Sequence, residues 1–289
     1  MMEVLDKKKI RKVFRDVQKH LAVAGLIRRF STNKNDIRQK ALDHVDLSRC
    51  ARVLELGCAF GAFTEALKGR LSPEARITGI DIIAEYKPFF LEACRRAGYT
   101  GRFYSSGIEK IKKINSDSFD LILCSYALYF FPEMIPEIAR LLQPEGYFIT
   151  ITHSRRDMQE IVQIVRAVTE RDARAGNRVL PLEAIFDQFS AENGAGLLQP
   201  HFRRIEEIEF KNALVFQPQD LDHFLDYLQF KKTFFLPADE LNDHELFNRL
   251  TEKLRNIALK ENALKMCKDD KIFICSQPIK RNPPDEKET

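Results

Sequence analysis

The 289 residues carry 46 Lys plus Arg against 42 Asp plus Glu, a net charge of +4, with 44% hydrophobic and 30% charged residues. That balance is too apolar for a disordered chain and too near neutral for a protein that wraps nucleic acid over its whole surface. The length suits one large domain with an insertion, or two small ones. No apolar run approaches the roughly 20 residues a membrane-spanning helix needs. The basic start, Lys7 to Lys12, is not followed by the long apolar run of a secretory signal. Six cysteines lie apart with no CxxC pair, so neither a metal site nor a disulfide framework is expected, and free core thiols fit a cytoplasmic protein.

Taken in chain order, the first 30 residues read as one basic amphipathic helix, with Phe14, Val17, Leu21 and Ala24 on its apolar face. A polar break at Ser31–Asp36 precedes a short helix from about Ile37 to Leu47. From Arg52 the pattern alternates. Strands are expected at Val53–Leu56, Arg76–Asp81, Arg102–Tyr104, Phe119–Cys124 and Gly146–Thr152. Helices are expected at Phe60–Lys68, Ala84–Ala97 and Pro132–Leu142. This β-α-β-α order is the pattern of a parallel sheet with helices on both faces. Beyond His153 the character changes. Helices are expected at Asp157–Thr169, Leu182–Ala191, Gln219–Phe230 and Asp239–Lys260, with loops at Arg174–Arg178 and Asn193–Gly196. Strands are expected at Arg203–Phe210 and Lys271–Ser276. The segment from Pro278, with Pro283 and Pro284 among charges, reads as a disordered tail.

The chemistry concentrates in Val53–Thr64, VLELGCAFGAFT. A strand ends in Glu55; Gly57, Ala59 and Gly61 follow, small enough for a ligand to approach the backbone, and a helix begins behind them. A carboxylate beside this loop repels a pyrophosphate and attracts an ammonium group. Asp81 ends the next strand about 20 residues on, where an acid takes the two hydroxyls of a ribose. The crevice is thus shaped for a nucleoside with a cationic amino-acid arm. A nicotinamide dinucleotide is the alternative; Ala62 suits it, but Ala59 and Glu55 do not.

These residues resemble the first motif and the ribose acid of class I, Rossmann-like S-adenosylmethionine-dependent methyltransferases. Phe119–Ser125 is similar to that family's fourth strand, and Leu141–Ile149 to its turn into the fifth. The likeness covers roughly residues 50–153. It implies an α/β fold: a seven-stranded, mostly parallel, doubly wound sheet with an antiparallel last strand and a helical cap inserted after strand five. It implies N-terminal helices over 1–48, a core over 49–153, a cap over 154–202, completing strands and helices over 203–277 and a tail over 278–289. Its cofactor is S-adenosylmethionine. The binding set it implies is Glu55, Gly57, Cys58, Ala59, Phe60, Gly61, Asp81, Ile82, Ser106, Gly107, Ile108, Cys124, Ser125 and Tyr126. Ser106 stands where the family often has an acid for the adenine amino group, and Ile82 is placed to pack on the adenine face. Ala59 replaces a usual glycine, which fits if its φ stays negative.

The acceptor is expected outside the carboxyl ends of strands four and five. The motif that exocyclic-amine methyltransferases carry after strand four is absent; Ser125, Tyr126 and Tyr129 stand there. His153, at the end of strand five, is the candidate proton acceptor, with Tyr126 second. The layout from Thr152–Ser154 through His201–Phe202 to Leu225–Leu228 resembles bacterial type-11 and type-12 small-molecule methyltransferases. A small-molecule acceptor, methylated on oxygen or nitrogen, is therefore expected. RNA or protein is the alternative, supported by Arg28, Arg29, Arg155 and Arg156, and a non-catalytic cofactor binder is the third reading.

Overall fold

The structure, a computed structural model, describes residues 7–169 and 179–280. The loop expected at 174–178 and the part of the expected tail beyond 280 lie outside the described residues; the tail's first residues are instead held, Pro278 in a strand and Ile279 by an N–H bond to the His201 carbonyl at 2.8 Å.

Helices α1 (Lys7–Phe14) and α2 (Val17–Phe30) replace the single N-terminal helix. The break has a local cause: the Asp16 carboxylate accepts the Lys19 N–H at 3.1 Å, an N-cap that starts a new helix. In α2, Val17 is buried as expected, but Leu21 and Ala24 are only partly covered, and Val23 and Phe30 are buried instead. Helix α3 (Ile37–Leu42) is capped in the same way by Asp36 and stops short of Leu47.

The alternating region then runs β1 (Arg52–Leu56), α4 (Ala62–Ala66), β2 (Arg76–Asp81), α5 (Lys87–Ala97) and β3 (Thr100–Ser105). It continues with β4 (Phe119–Ser125), α6 (Ile135–Leu141) and β5 (Leu142–His153). Helix α5 shows why such segments fold. Pro88 opens it, Gly98 closes it at φ 89°, and Phe90, Ala93, Cys94 and Ala97 form its buried stripe. Burying Phe90 alone is worth roughly 1.5–3 kcal/mol. Against β4 the register of β5 jumps from Phe119↔Leu142 to Leu121↔Tyr147. The Pro144–Gly146 turn is thus looped out within β5 rather than preceding it.

After β5 come α7 (Gln159–Thr169), α8 (Pro181–Gln188) and α9 (Gly194–Leu198). Helix α9 corrects the loop expected at Asn193–Gly196. Next come β6 (Phe202–Phe210), β7 (Ala213–Phe216), α10 (Leu221–Phe235), α11 (His244–Glu261), β8 (Leu264–Cys267) and β9 (Asp270–Pro278). Strands β7 and β8, which the sequence reading missed, pair antiparallel as a separate ribbon.

The chain divides into two compact units. One comprises Asp36–Thr152, Asn193–Ile208 and Ile272–Thr289. It holds the seven-stranded sheet, in the order β3-β2-β1-β4-β5-β9-β6, mostly parallel with the last strand antiparallel. Strand order reverses between β1 and β4, whose carboxyl ends flank the crevice where such sheets bind ligands. The other comprises Met1–Asn35, His153–Glu192 and Glu209–Lys271. There α2 packs on β7 and α10, and α11 on α7. Asn212 ties in the segment after α2: its amide donates to Ser31 Oγ at 3.0 Å and accepts the Asn33 N–H at 3.0 Å. Helix α11 starts at Asp243, which accepts the Leu246 N–H at 2.9 Å, and buries Leu246, Leu250, Leu254 and Ala258.

Among the described residues no helix is long and apolar enough to cross a membrane. All six cysteines are free, and all but Cys267 are buried.

Candidate functional site

The crevice is built by the loop after β1. Gly57 takes φ 63° and Gly61 φ 79°, both in the left-handed region. A Cβ at Gly57 would come within 2.6 Å of Ala127 Cβ, so this position needs glycine for its conformation and for its space. Ala59 also lies in the left-handed region, at φ 43°, which overturns the expectation of a negative φ. The reason is a bond: the Ala59 N–H donates to Asp81 Oδ2 at 3.0 Å, and that hydrogen bond offsets the strain of the turn. The Gly57 N–H donates to the Ile80 carbonyl at 2.9 Å, and the Gly61 N–H to the Cys58 carbonyl at 2.8 Å. Helix α4 begins only at Ala62 and has five residues. The loop's own backbone, rather than a long helix dipole, therefore faces a ligand.

Two carboxylates end the strands here. Glu55 is 3% exposed and accepts the Thr64 hydroxyl. Burial pushes its carboxyl up to about 7, against the pull of Thr64. Asp81 is 8% exposed, and burial pushes it up to about 6 although it accepts the Ile83 N–H at 2.9 Å as well as that of Ala59. The Asp81 oxygens hold these backbone donors, with Ile82 as a further one, and keep acceptor capacity for a ligand.

The Ser106 N–H donates to the Asp81 carbonyl at 3.0 Å, which joins the end of β3 to the end of β2. Its hydroxyl oxygen is buried and has no hydrogen-bond partner. A buried oxygen without a partner is rare, and here it fits a ligand that brings one. Ile82 is partly exposed beside Asp81. Gly107 opens the short helical turn that begins at Ile108, whose side chain is buried. Phe60 is partly exposed and meets Tyr86 edge to face at 6.4 Å. The Cys58 thiol is turned inward against Gly79 and Cys124 is fully buried, so these two residues form the floor and leave only backbone for a ligand. Register brings Leu56 level with both Ile80 and Cys124. After β4, Ser125 is partly exposed, and Tyr126 takes φ 55° with its N–H donated to the Ile151 carbonyl at 2.9 Å. A bulky residue in that region is strained, and such strain collects at functional sites.

His153 ends β5 and belongs to the other unit. Its side chain is 17% exposed. Nδ1 lies 2.7 Å from Asp270 Oδ1 and 3.0 Å from Lys268 Nζ. Lys268 in turn donates to Asp157 Oδ1 at 2.8 Å, and all three partners of the histidine are buried. The carboxylates of Asp157 and Asp270 hold the Lys268 ammonium well above the usual lysine range, against the effect of burial. The ligand-type atoms of His153, Asp157 and Asp270 lie within 4.8 Å of one another, but the Lys268 ammonium sits among them as the cation. The sequence reading missed Asp157, Lys268 and Asp270. The spacing of His153 and Asp157 was a local signal; the Lys268–Asp270 run looked like an ordinary solvated turn.

The crevice therefore offers a buried acid at each of two strand ends, a left-handed small-residue loop and an orphaned hydroxyl, which together suit a nucleoside carrying an ammonium. The sequence matches the family described as "Methyltransferase domain" over residues 47–194. No curated protein matches it in sequence. A candidate methyltransferase from Bacillus halodurans C-125 superposes with TM-score 0.53 at 11% identity, covering 85% of this chain and 100% of that one. The 4+2 cyclase SpnF superposes with TM-score 0.51 at 13% identity, covering 94% and 97%. Identities this low show a shared fold. The family match takes in just over half of the 289 residues and contains β1 to β5 with the glycine loop. The chain thus belongs to the methyltransferase-domain family and is an S-adenosylmethionine-dependent methyltransferase.

Proposed function

We propose that this methyltransferase acts on an oxygen or nitrogen atom of a small-molecule acceptor. The observation that carries this reading is the pairing of three of the four arginines that favoured a nucleic acid. Arg29 pairs with Asp220 at 3.8 Å, Arg155 with Asp187 at 3.1 Å and Arg156 with Asp269 at 2.9 Å. Each carboxylate lowers the net positive charge its arginine offers to a phosphate, an effect of under about 1 kcal/mol for pairs this exposed.

In this reading Glu55 faces the cofactor's ammonium, Asp81 its ribose hydroxyls and Ser106 Oγ its adenine amino group, with Ile82 against the adenine face. The cofactor, when bound, supplies a methyl group already activated on a sulfonium. The protein's part is then placement of the acceptor in line, exclusion of water and, for a protonated nucleophile, removal of a proton. His153 is the proposed proton acceptor, with Tyr126 lining the acceptor side. A panel of phenols, alcohols and amines, incubated with labelled cofactor, tests the proposal against total RNA and a protein extract. Label entering small molecules supports it. Label entering RNA or protein alone, with binding that weakens steeply as salt rises, overturns it in favour of a macromolecular acceptor.

A further inference from the structure

We propose that Asp270 is the positioning residue of a buried His153–Asp270 dyad, with Lys268, ion-paired to Asp157, as its resident cation. The inference rests on the reading of His153 as proton acceptor and says how the protein prepares it.

Three chain segments converge on the imidazole: the end of β5, the turn that carries Asp157, and the link from β8 into β9 that carries Lys268 and Asp270. Two groups face Nδ1, a carboxylate oxygen at 2.7 Å and an ammonium at 3.0 Å. The shorter of the two contacts assigns the proton. An Nδ1 lone pair facing Asp270 Oδ1 at that distance would repel it unless the carboxyl were protonated. The Lys268 ammonium lies 4.0 Å from the same oxygen, as the countercharge of that carboxylate. The imidazole therefore donates Nδ1–H to Asp270, and Lys268 donates one of its three protons to Asp157 at 2.8 Å. Of the two ring nitrogens, Nε2 is then the one with the lone pair. Phe186 meets the ring edge to face at 5.8 Å and fixes its plane.

The cluster is costly to build. Two carboxylates and an ammonium, each about 95% buried, carry a desolvation penalty of roughly several kcal/mol per ion. A junction that served packing alone would be cheaper in apolar residues. With His153 as proton acceptor, Nε2 would take the proton the acceptor gives up, Asp270 would face the resulting imidazolium through Nδ1–H, and the bound cofactor would supply the methyl group.

The test uses the whole 15N-labelled protein and long-range proton–nitrogen correlation of its imidazoles. His153 is assigned by the signal that disappears in His153→Gln. We expect the Nδ1–H tautomer in wild type, and a shift toward Nε2–H in Asp270→Asn and Asp270→Ala. An Nε2–H tautomer in wild type overturns the dyad, even where the variants fail to fold; so does a tautomer that Asp270→Asn and Asp270→Ala leave unchanged. With an acceptor in hand, Asp270→Asn is expected to lower kcat about a hundredfold, with S-adenosylhomocysteine affinity unchanged and partial rescue by Asp270→Glu. Normal turnover by His153→Gln would instead remove the proton-acceptor reading, whatever the tautomer.

Discussion

Ala59 and Asp81 are joined across the crevice by a 3.0 Å bond from the backbone N–H of one to the carboxylate of the other. The acid that ends β2 thus shapes the loop that follows β1. A left-handed alanine costs roughly 1–2 kcal/mol, and glycine loses part of that advantage through its freer unfolded chain. Ala59→Gly should therefore stabilise the fold by up to about 1 kcal/mol and raise Tm by about 2 °C. Thermal unfolding checks this, and a lower Tm would mean the loop relies on the alanine methyl.

Gly57→Ala should do the opposite. Its Cβ would meet Ala127 Cβ at 2.6 Å in a backbone that disfavours any side chain. We expect a loss of about 3 kcal/mol and no measurable cofactor binding. Adding Ala127→Gly removes the overlap but not the φ penalty, so the double variant should recover about half of the stability in chemical denaturation. Complete recovery would show that conformation contributes nothing.

Asp81→Ala removes the anchor of Ala59 and Ile83 together with a charge-assisted bond to ribose. S-adenosylhomocysteine affinity should fall by roughly 1–3 kcal/mol in calorimetric titration. Unchanged affinity would take Asp81 out of the ribose site.

The same crevice makes binding depend on pH. Burial raises Glu55 to about 7 and Asp81 to about 6. The ligand-free folded chain therefore binds protons that the unfolded chain lacks in the window from their ordinary values up to these. Their contribution to stability is greatest at the acid end and is lost as pH rises through the window. A bound ammonium and ribose favour the ionised carboxylates, so cofactor affinity should run the other way. We expect S-adenosylhomocysteine to bind about tenfold more weakly near pH 6 than near pH 8, with proton release on binding. Titration in two buffers of different ionisation heat measures both. A flat profile would place Glu55 away from the ammonium.

Lys268→Met leaves Asp157 buried without its cation, which should cost about 3–5 kcal/mol. It also vacates the centre of His153, Asp157 and Asp270, whose ligand-type atoms lie within 4.8 Å of one another. Added Co2+ should then raise the Tm of the variant and give a visible absorption band, with neither effect in wild type. No response in the variant would show that the three groups cannot converge on an ion.

Much of the sheet was legible because its signals are local. Val53–Leu56 and Phe119–Cys124 are apolar runs bounded by polar residues, as strands buried on both faces must be. Glu55, Gly57 and Asp81 were legible because one short loop and one neighbouring strand carry them. What escaped was of two kinds. Asp16 carries an ordinary N-cap signal before Val17 that was absorbed into a longer apolar stripe, and Gly194–Leu198 hides a helix behind its glycines. Strands β7 and β8, by contrast, have four residues each and find each other across two helices. The partners of His153 lie up to 117 residues away, a pairing that no periodicity encodes.

The two units differ in how their chain is supplied during synthesis. The strands from β1 to β5 lie in one continuous stretch, Asp36–Thr152, and can pair as soon as that stretch has emerged. The unit containing α1 and α2 needs Glu209–Lys271 as well, and contacts that close so long a loop form late. On the ribosome, helices α1 and α2 emerge before β1 to β5 yet are among the last to settle, and for most of translation their apolar faces wait uncovered.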